Sequence, residues 1–402
     1  MSKKLMVYLG AAFTLGIVVY AFYNKWILFN LPLFHTTIAV PHSEMLERKN
    51  ISIYLPDEKF SKQERREVLW SKYPQDSAEY LVNAWLALLD EEEVIKKKTT
   101  LQTVATAHDN QQLLISFDRL PFNEEASTRE KWFSIESLLK TIRTVCPTFK
   151  EVAFLVHHQP AEDAHLDFSK PWPIGGFLGE GGAVSMQKNN LVHDLASPFT
   201  IMLDPAGDAQ HTGRVIDDSF ERGITLQCAE ALKELLEKII PGVRIILTRI
   251  PGETLEPLQN AAFSNRLKAD FYLHLAFYQE AHAPSHASLY YFLYNPSTDS
   301  WHKRDDTFAW EPYQAAHCAT LDATVSYADL IYKSLLPYHR QGLFQLHTFC
   351  GLPVRPIIGI KAPALVCEIG LHDKDMWKLF VTPLAEGIIR VVQWASKKEG
   401  AV

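Results

Sequence analysis

The first stretch of this chain has no polar face. After Met1-Ser2-Lys3-Lys4 an uncharged apolar run extends from Leu5 to Tyr23. A helix rising about 1.5 Å per residue over that run covers most of a roughly 30 Å hydrocarbon core. The run leaves through Tyr20-Ala21-Phe22-Tyr23-Asn24-Lys25-Trp26, without an Ala-x-Ala-like cleavage arrangement, so it reads as a retained signal anchor over residues 1–30. Lys3 and Lys4 before the span, against Lys25 after it, place the N-terminus in the cytoplasm. The bulk of the chain is then expected outside the cell membrane, on its periplasmic or cell-wall side.

Further along, the apolar period switches between two and three to four. Ile51-Ser52-Ile53-Tyr54-Leu55 alternates like a half-buried strand and stops at Pro56-Asp57. A helix is predicted from Asp76, whose carboxylate is placed to cap it, with Leu81, Ala84, Trp85 and Leu88 on one face. A second helix carries Ile135, Leu138, Leu139 and Ile142, and strands are predicted at Leu113–Phe117 and Val152–Val156. Periodicity then lapses from Pro171-Trp172-Pro173 through Gly175, Gly176, Gly179, Gly181 and Gly182 to Asn189-Asn190, which reads as a linker over 173–198. Beyond it, Phe199–Leu203 is a buried-type strand ending in the turn Asp204-Pro205-Ala206-Gly207, at the sheet edge where α/β proteins place their chemistry. A helix with Leu226, Ala229, Leu232, Leu235, Leu236 and Ile239 inward closes at Pro241-Gly242. Strands at Val243–Leu247, Phe271–Leu275 and Ala364–Cys367 and helices near Asp322–Leu336 and Thr382–Trp394 complete the pattern. The expected fold class is α/β: a transmembrane anchor, a small α/β domain over 48–172, and an α/β sandwich over 199–398 with a central, mostly parallel sheet.

Composition narrows the function. Setting the anchor aside, about 370 residues remain, more than one hydrophobic core normally serves. With 47% hydrophobic and 22% charged residues, a formal charge of -7 and scattered Lys and Arg, the chain has no basic field, which excludes nucleic acid as a partner. The five cysteines, Cys146, Cys228, Cys318, Cys350 and Cys367, show no Cys-x-x-Cys spacing; a pair such as Cys318 and Cys350 can bridge outside the membrane, but buried small hydrophobes are the default. Gly-x-Ser-x-Gly is absent, so a serine hydrolase is not supported. His157, His158, Glu162, Asp163 and His165 crowd together, yet their spacing fits no standard ligand set and the loop contains proline, so a solvated turn is expected there.

Two resemblances sharpen these readings. Ile51-Tyr54-Leu55-Pro56-Asp57 read as an opening, Val82-Asn83-Ala84-Trp85-Leu86, and Val152-Ala153-Phe154-Leu155-Val156 followed by His165-Leu166-Asp167-Phe168-Ser169 make residues 48–172 resemble the GerM domain of sporulation, spore-germination and other bacterial envelope proteins. That resemblance implies a small binding or assembly module that contacts other envelope proteins. In the second half, Leu203-Asp204-Pro205, Glu221-Arg222 with Thr225-Leu226, Leu247-Thr248-Arg249, Ser264-Asn265 leading to Ala269-Asp270-Phe271, and Pro363-Ala364-Leu365-Val366-Cys367-Glu368-Ile369-Gly370 occur in order. Together they resemble the N-acetylmuramoyl-L-alanine amidase family, which cuts peptidoglycan between the glycan and its stem peptide.

The amidase resemblance implies a zinc ion held by two histidines and a glutamate, with a second glutamate as base; such a set leaves a position for a water of lowered pKa. Carried onto this sequence, Glu221 stands at the ligand glutamate and Glu368 at the base, whereas the histidine positions are Gly207 and Ala276. His274 is on the same strand face as Ala276 but displaced by about 6.6 Å. His211 and Asp208 follow Gly207 in a loop, so a rebuilt set of Asp208 or His211 with Glu221 and His274 is the alternative. Without metal, two convergent carboxylates repel and call for a cation, for which Arg222, Arg249 and Lys361 are the candidates; Asp204, Arg222 and Arg249 are expected to line the cleft. The leading expectation is a membrane-anchored pseudoamidase without a cofactor that binds peptidoglycan or muropeptides, or regulates cell-wall remodelling. The alternatives are an active zinc amidase with a rebuilt site, and a purely architectural envelope protein.

Overall fold

The computed structural model describes residues 46–58, 62–108, 111–177, 198–249, 257–280, 283–295 and 312–399. The expected anchor and most of the expected linker, 178–197, lie outside them. Among the described residues no helix is long and apolar enough to cross a membrane.

Alternation at Ile51 and Ile53 produces β1 (Glu47–Tyr54), which pairs antiparallel with β2 (Gln63–Trp70). A second sheet runs β3 (Leu101–Ala107), β4 (Gln112–Phe117), β5 (Glu151–Val156) and β6 (Gln159–Pro160), with β7 (Trp172–Pro173) also on β5. Two helices accompany them. In α1 (Pro74–Glu91), Leu81, Val82, Trp85, Leu88 and Leu89 are buried. It starts two residues ahead of the predicted Asp76 because Pro74, with its preset φ and missing N–H, suits a first turn. Asp76 does not cap; it accepts from Ser71 Oγ at 3.2 Å. In α2 (Thr128–Val145) a capping box is complete: Ser127 Oγ accepts from the Glu130 N–H at 3.1 Å, and Glu130 Oε2 accepts from the Ser127 N–H at 3.0 Å.

The larger sheet begins with β8 (Thr200–Pro205). A short hairpin, β9 (Val215–Ile216) and β10 (Ser219–Phe220), leads into α3 (Glu221–Ile239). Then follow β11 (Arg244–Leu247), α4 (Pro257–Leu267), β12 (Phe271–Gln279), β13 (His286–Phe292), α5 (Leu321–Arg340), β14 (Gln345–Leu346), β15 (Cys350–Leu352), β16 (Ala364–Leu371) and α6 (Lys378–Glu399). The sheet order is β11-β8-β12-β16-β13-β14, with β15 also on β13. β11, β8, β12 and β16 are mutually parallel, and β13 is antiparallel to β16. Every residue of β16 and all but the last of β12 are buried, as a parallel sheet covered on both faces requires. β12 outruns its predicted end at Leu275 because Phe277 and Tyr278 continue the buried ladder opposite Ile369 and Gly370.

The chain stays within the smaller sheet through β7, and the segment just before it reaches the larger one. Leu166 bridges to Val354, the Asp167 N–H donates to Pro353 O at 2.7 Å, and the Arg355 N–H donates to His165 O at 2.8 Å. Both sheets belong to one compact unit, Glu47–Val402. None of the five cysteines is joined in a disulfide among the described residues, Cys318 and Cys350 included.

The expected solvated turn at 157–165 needs correction. His157 and His158 are exposed and turn the β5–β6 hairpin with positive φ, and Glu162 is exposed. Asp163, however, is buried against Lys131 Nζ at 2.5 Å and takes the backbone N–H groups of His165 and Leu166. Burial alone would raise its carboxyl, but His165 and Lys131 outweigh that and hold it far below the ordinary range. Lys131, fully buried on α2, needs an anion there; the loop supplies one.

Candidate functional site: a cleft at the carboxyl edge of the larger sheet

β8, β12 and β16 end side by side, and their registers set the site. His274 lies opposite Asp204, and Ala276 lies opposite Glu368. α3 begins at Glu221 immediately after the β9–β10 hairpin, which brings its carboxylate over the same edge.

Glu221 and Glu368 do not face each other unscreened. Glu221, 2% exposed, accepts the Phe277 N–H at 2.8 Å with one oxygen and the Arg214 N–H at 3.0 Å with the other. Glu368, 1% exposed, accepts Arg214 Nη2 at 2.9 Å, the Thr128 N–H at 2.9 and 3.0 Å, and Thr128 Oγ1 at 2.9 Å. Thr128 opens α2 in the other half of the molecule, so a helix N-terminus points its free N–H groups and positive dipole end at this carboxylate. Burial works against ionisation of Glu368, but Arg214, His165 and Thr128 outweigh it and hold the carboxyl below its usual range. Arg214 also donates to Ala126 O at 2.9 Å.

The cation is therefore Arg214, not Arg222, Arg249 or Lys361. Arg222 Nη1 turns to the carbonyls of Asp208 and Ala209, both at 3.3 Å. Arg249 spends Nε and Nη2 on the carbonyls of Pro205, Ala206 and Arg222, each at 3.0 Å. Lys361 is exposed. Arg214 carries no sequence signal beyond a cation a few residues before the Glu221 helix, a separation at which only the folded hairpin decides contact.

The other end of the edge is arranged around Asp204. His274 Nδ1 lies 2.6 Å from Asp204 Oδ2, while Thr248 Oγ1 at 2.6 Å and Asn260 Nδ2 at 3.2 Å reach Oδ1. Burial would raise this carboxyl; the His274 and Thr248 contacts hold it below its ordinary value. An ionised Asp204 makes Nδ1 of His274 its donor. His211, its side chain 68% exposed, pairs with Asp208 at 3.2 Å instead of turning to Glu221. A cleft of about 550 Å³ lies over this end, lined from the larger sheet by Asp204, Gly207 and His274 and from the smaller half by Glu125, Glu162 and His165.

Gly207 has φ +76°, and a Cβ placed on it would meet Arg222 Cβ at 2.7 Å. A side chain there is thus excluded by backbone conformation as well as by space. Among the described residues, no three His, Cys, Asp or Glu converge as a metal ion would need.

Solved structures with a similar fold are amidase catalytic domains that cover about half of the chain. The catalytic domain of CwlV, an N-acetylmuramoyl-L-alanine amidase from Bacillus (Paenibacillus) polymyxa var. colistinus, is 17% identical over 48% of this chain and 98% of its own, with a TM-score of 0.34. AmiC2, an N-acetylmuramoyl-L-alanine amidase of Nostoc punctiforme, is 12% identical over 48% and 97%, with a TM-score of 0.37. The CwlD amidase from Clostridioides difficile, solved in complex with the GerS lipoprotein, is 14% identical over 48% and 98%, with a TM-score of 0.35. No family model matches the chain, and no curated protein matches it.

Proposed function

We propose that this is a pseudoamidase of the bacterial cell envelope: an N-terminally anchored, extracytoplasmic protein that binds peptidoglycan through an amidase-like cleft and does not hydrolyse it. The observation that carries the reading is the saturation of Glu368. A general base must reach a water or a substrate proton within hydrogen-bond distance, and this carboxylate is buried with Arg214 and the start of α2 on it. Zinc does not fit the residues present. Gly207 and Ala276 offer no donor, both oxygens of Glu221 accept backbone N–H groups, and His274 directs Nδ1 to Asp204. The cell-wall setting is supported by the order of amidase-like words, which fall on β8, the start of α3, β11, α4, β12 and β16 around one sheet edge. The GerM-like half fits an assembly module in which α2 has been recruited to close the former catalytic end.

Two measurements on the purified protein test the proposal. It should be retained on isolated cell-wall sacculi and should release no stem peptides in zinc-replete buffer. Stoichiometric zinc that disappears in Glu221→Ala and His274→Ala would overturn it in favour of a rebuilt metal site. Failure to be retained on sacculi would leave a purely architectural role.

A further inference from the structure

We infer that the groove between α2 and the β9–β10 hairpin is a docking site for a polypeptide segment of a partner protein, one that combines apolar side chains with lysine or arginine. The inference goes beyond the cell-wall reading and does not rest on it. The groove, about 730 Å³, is a different place from the cleft over Asp204: only Glu125 and Arg214 line both. Val94, Phe122 and Phe133 line it from the smaller half, and Val215 and Tyr278 from the larger. Its apolar lining continues onto the hairpin. Val215 and Phe220 are directly paired across β9 and β10, so their side chains share one face, 51% and 45% exposed, while Ile216 on the opposite face is fully buried. Ile216 therefore holds the hairpin on the core, and the Val215–Phe220 pair buries little within this chain. Val94, from the smaller half, is 41% exposed. Exposed apolar side chains gathered beside a groove mark a surface that a partner covers. Phe220 does not line the groove itself, so a small molecule held there would leave the pair half uncovered; an extended chain can cover both.

The charge of the lining selects the partner. Glu125, Glu130, Asp217 and Glu280 stand against Lys96 and Arg214. Arg214 is 5% exposed and committed to Glu368 and Ala126 O, which leaves Lys96 as the exposed cation of the lining. Glu130 commits one oxygen to the capping box, and Asp217 Oδ2 accepts the Lys374 N–H at 2.7 Å. Lys374 Nζ itself pairs with Asp218 at the hairpin turn, at 2.6 Å. The balance of the groove remains acidic. An acidic segment would meet like charge there, and a purely polar one would leave the apolar lining in water. Apolar side chains accompanied by a cation match both features.

The test uses the purified full-length protein and two fluorescein-labelled peptides on one apolar frame, Leu-Arg-Val-Arg-Leu and Leu-Glu-Val-Glu-Leu, with binding read by fluorescence anisotropy. The basic peptide should bind saturably and about tenfold or more tightly than the acidic one, and raising the salt from about 0.1 to 1 M should narrow the gap. Val94→Ser and Val215→Ser, both at exposed positions, should each weaken the basic peptide by about fivefold or more. Leu258→Ser, at an apolar position 50% exposed and outside the groove, should leave its affinity unchanged. No binding of the basic peptide, equal affinity for the two, or a loss in Leu258→Ser as large as in Val215→Ser overturns the inference. A dimer in sedimentation that Val215→Ser dissociates overturns it as well, because the groove then belongs to a second copy of this chain. The comparison of the two peptides is made on the wild-type protein and does not depend on a variant folding.

Discussion

The two ends of one sheet edge have been treated in opposite ways. At Glu368 donors come from three places: Arg214 just before β9, the N–H and hydroxyl of Thr128 at the start of α2, and the Tyr290 hydroxyl on β13 at 3.4 Å. At Asp204 the carboxylate is equally well supplied, by His274, Thr248 and Asn260, and one of those donors, Asn260, carries a second polar atom, Oδ1, that is buried without a hydrogen-bond partner. The sealed end supplies both oxygens of Glu368 from within the protein, although Arg214 Nε is buried there without a partner, and loses chemical access. The open end satisfies its buried anion directly beneath the cleft. Saturation of this kind marks structure; what separates the two ends is the cleft that lies over Asp204.

The largest test of the contrast is Arg214→Met. Removing the guanidinium strands a buried carboxylate, so a loss of about 3–5 kcal/mol in urea unfolding at neutral pH is expected; a loss below about 1 kcal/mol would break the description of a sealed end. Next comes Gly207→His, alone or with Ala276→His. A non-glycine residue at φ +76° costs about 1–2 kcal/mol before its overlap with Arg222 is counted, and the double variant should take up no stoichiometric zinc by metal analysis. The pH response follows from Glu368, Asp163 and Asp204, whose carboxyls are all lowered in the folded protein. Each lends stability that is present above the unfolded value of about 4 and is lost as pH falls through the folded one. Melting temperature should therefore decline below about pH 4, and Arg214→Met should blunt the decline. Ser127→Ala, which removes the cap that aims α2 at Glu368, should cost about 1 kcal/mol by thermal unfolding. The smallest change is expected at the open end. Asn260→Ala gives up one bond to Asp204 but also removes an orphaned acceptor, leaving stability within about 1 kcal/mol by thermal unfolding.

Much of this edge was legible before the fold. The strands β1, β4, β5, β8, β11, β12 and β16 and the helices α1, α2, α3, α5 and α6 follow from apolar periods that reflect what each segment buries. The charged strand β2, the tail of β12 and the helix α4 were not read as elements, because their residues form structure only against partners distant in sequence. Asp163 was misplaced for a related reason. Polar loop residues read as solvated until Lys131, buried on α2, shows why one of them turns inward. The glycine at 207 was visible as a missing donor; that its φ also forbids a replacement was not.

By itself, then, the sequence determined which side chains stand at each edge position: carboxylates at 221 and 368, none that binds metal at 207 and 276, and a histidine at 274. These are local facts of chemistry and period. The tertiary structure decided who meets whom. Thr128 and Glu368 are 240 positions apart, Arg214 and Glu368 154, and Asp204 and His274 70. A buried charge demands a partner because leaving it alone costs several kcal/mol, but that demand is blind to distance along the chain, and only strand register and the docking of α2 choose which cation and which helix end supply it.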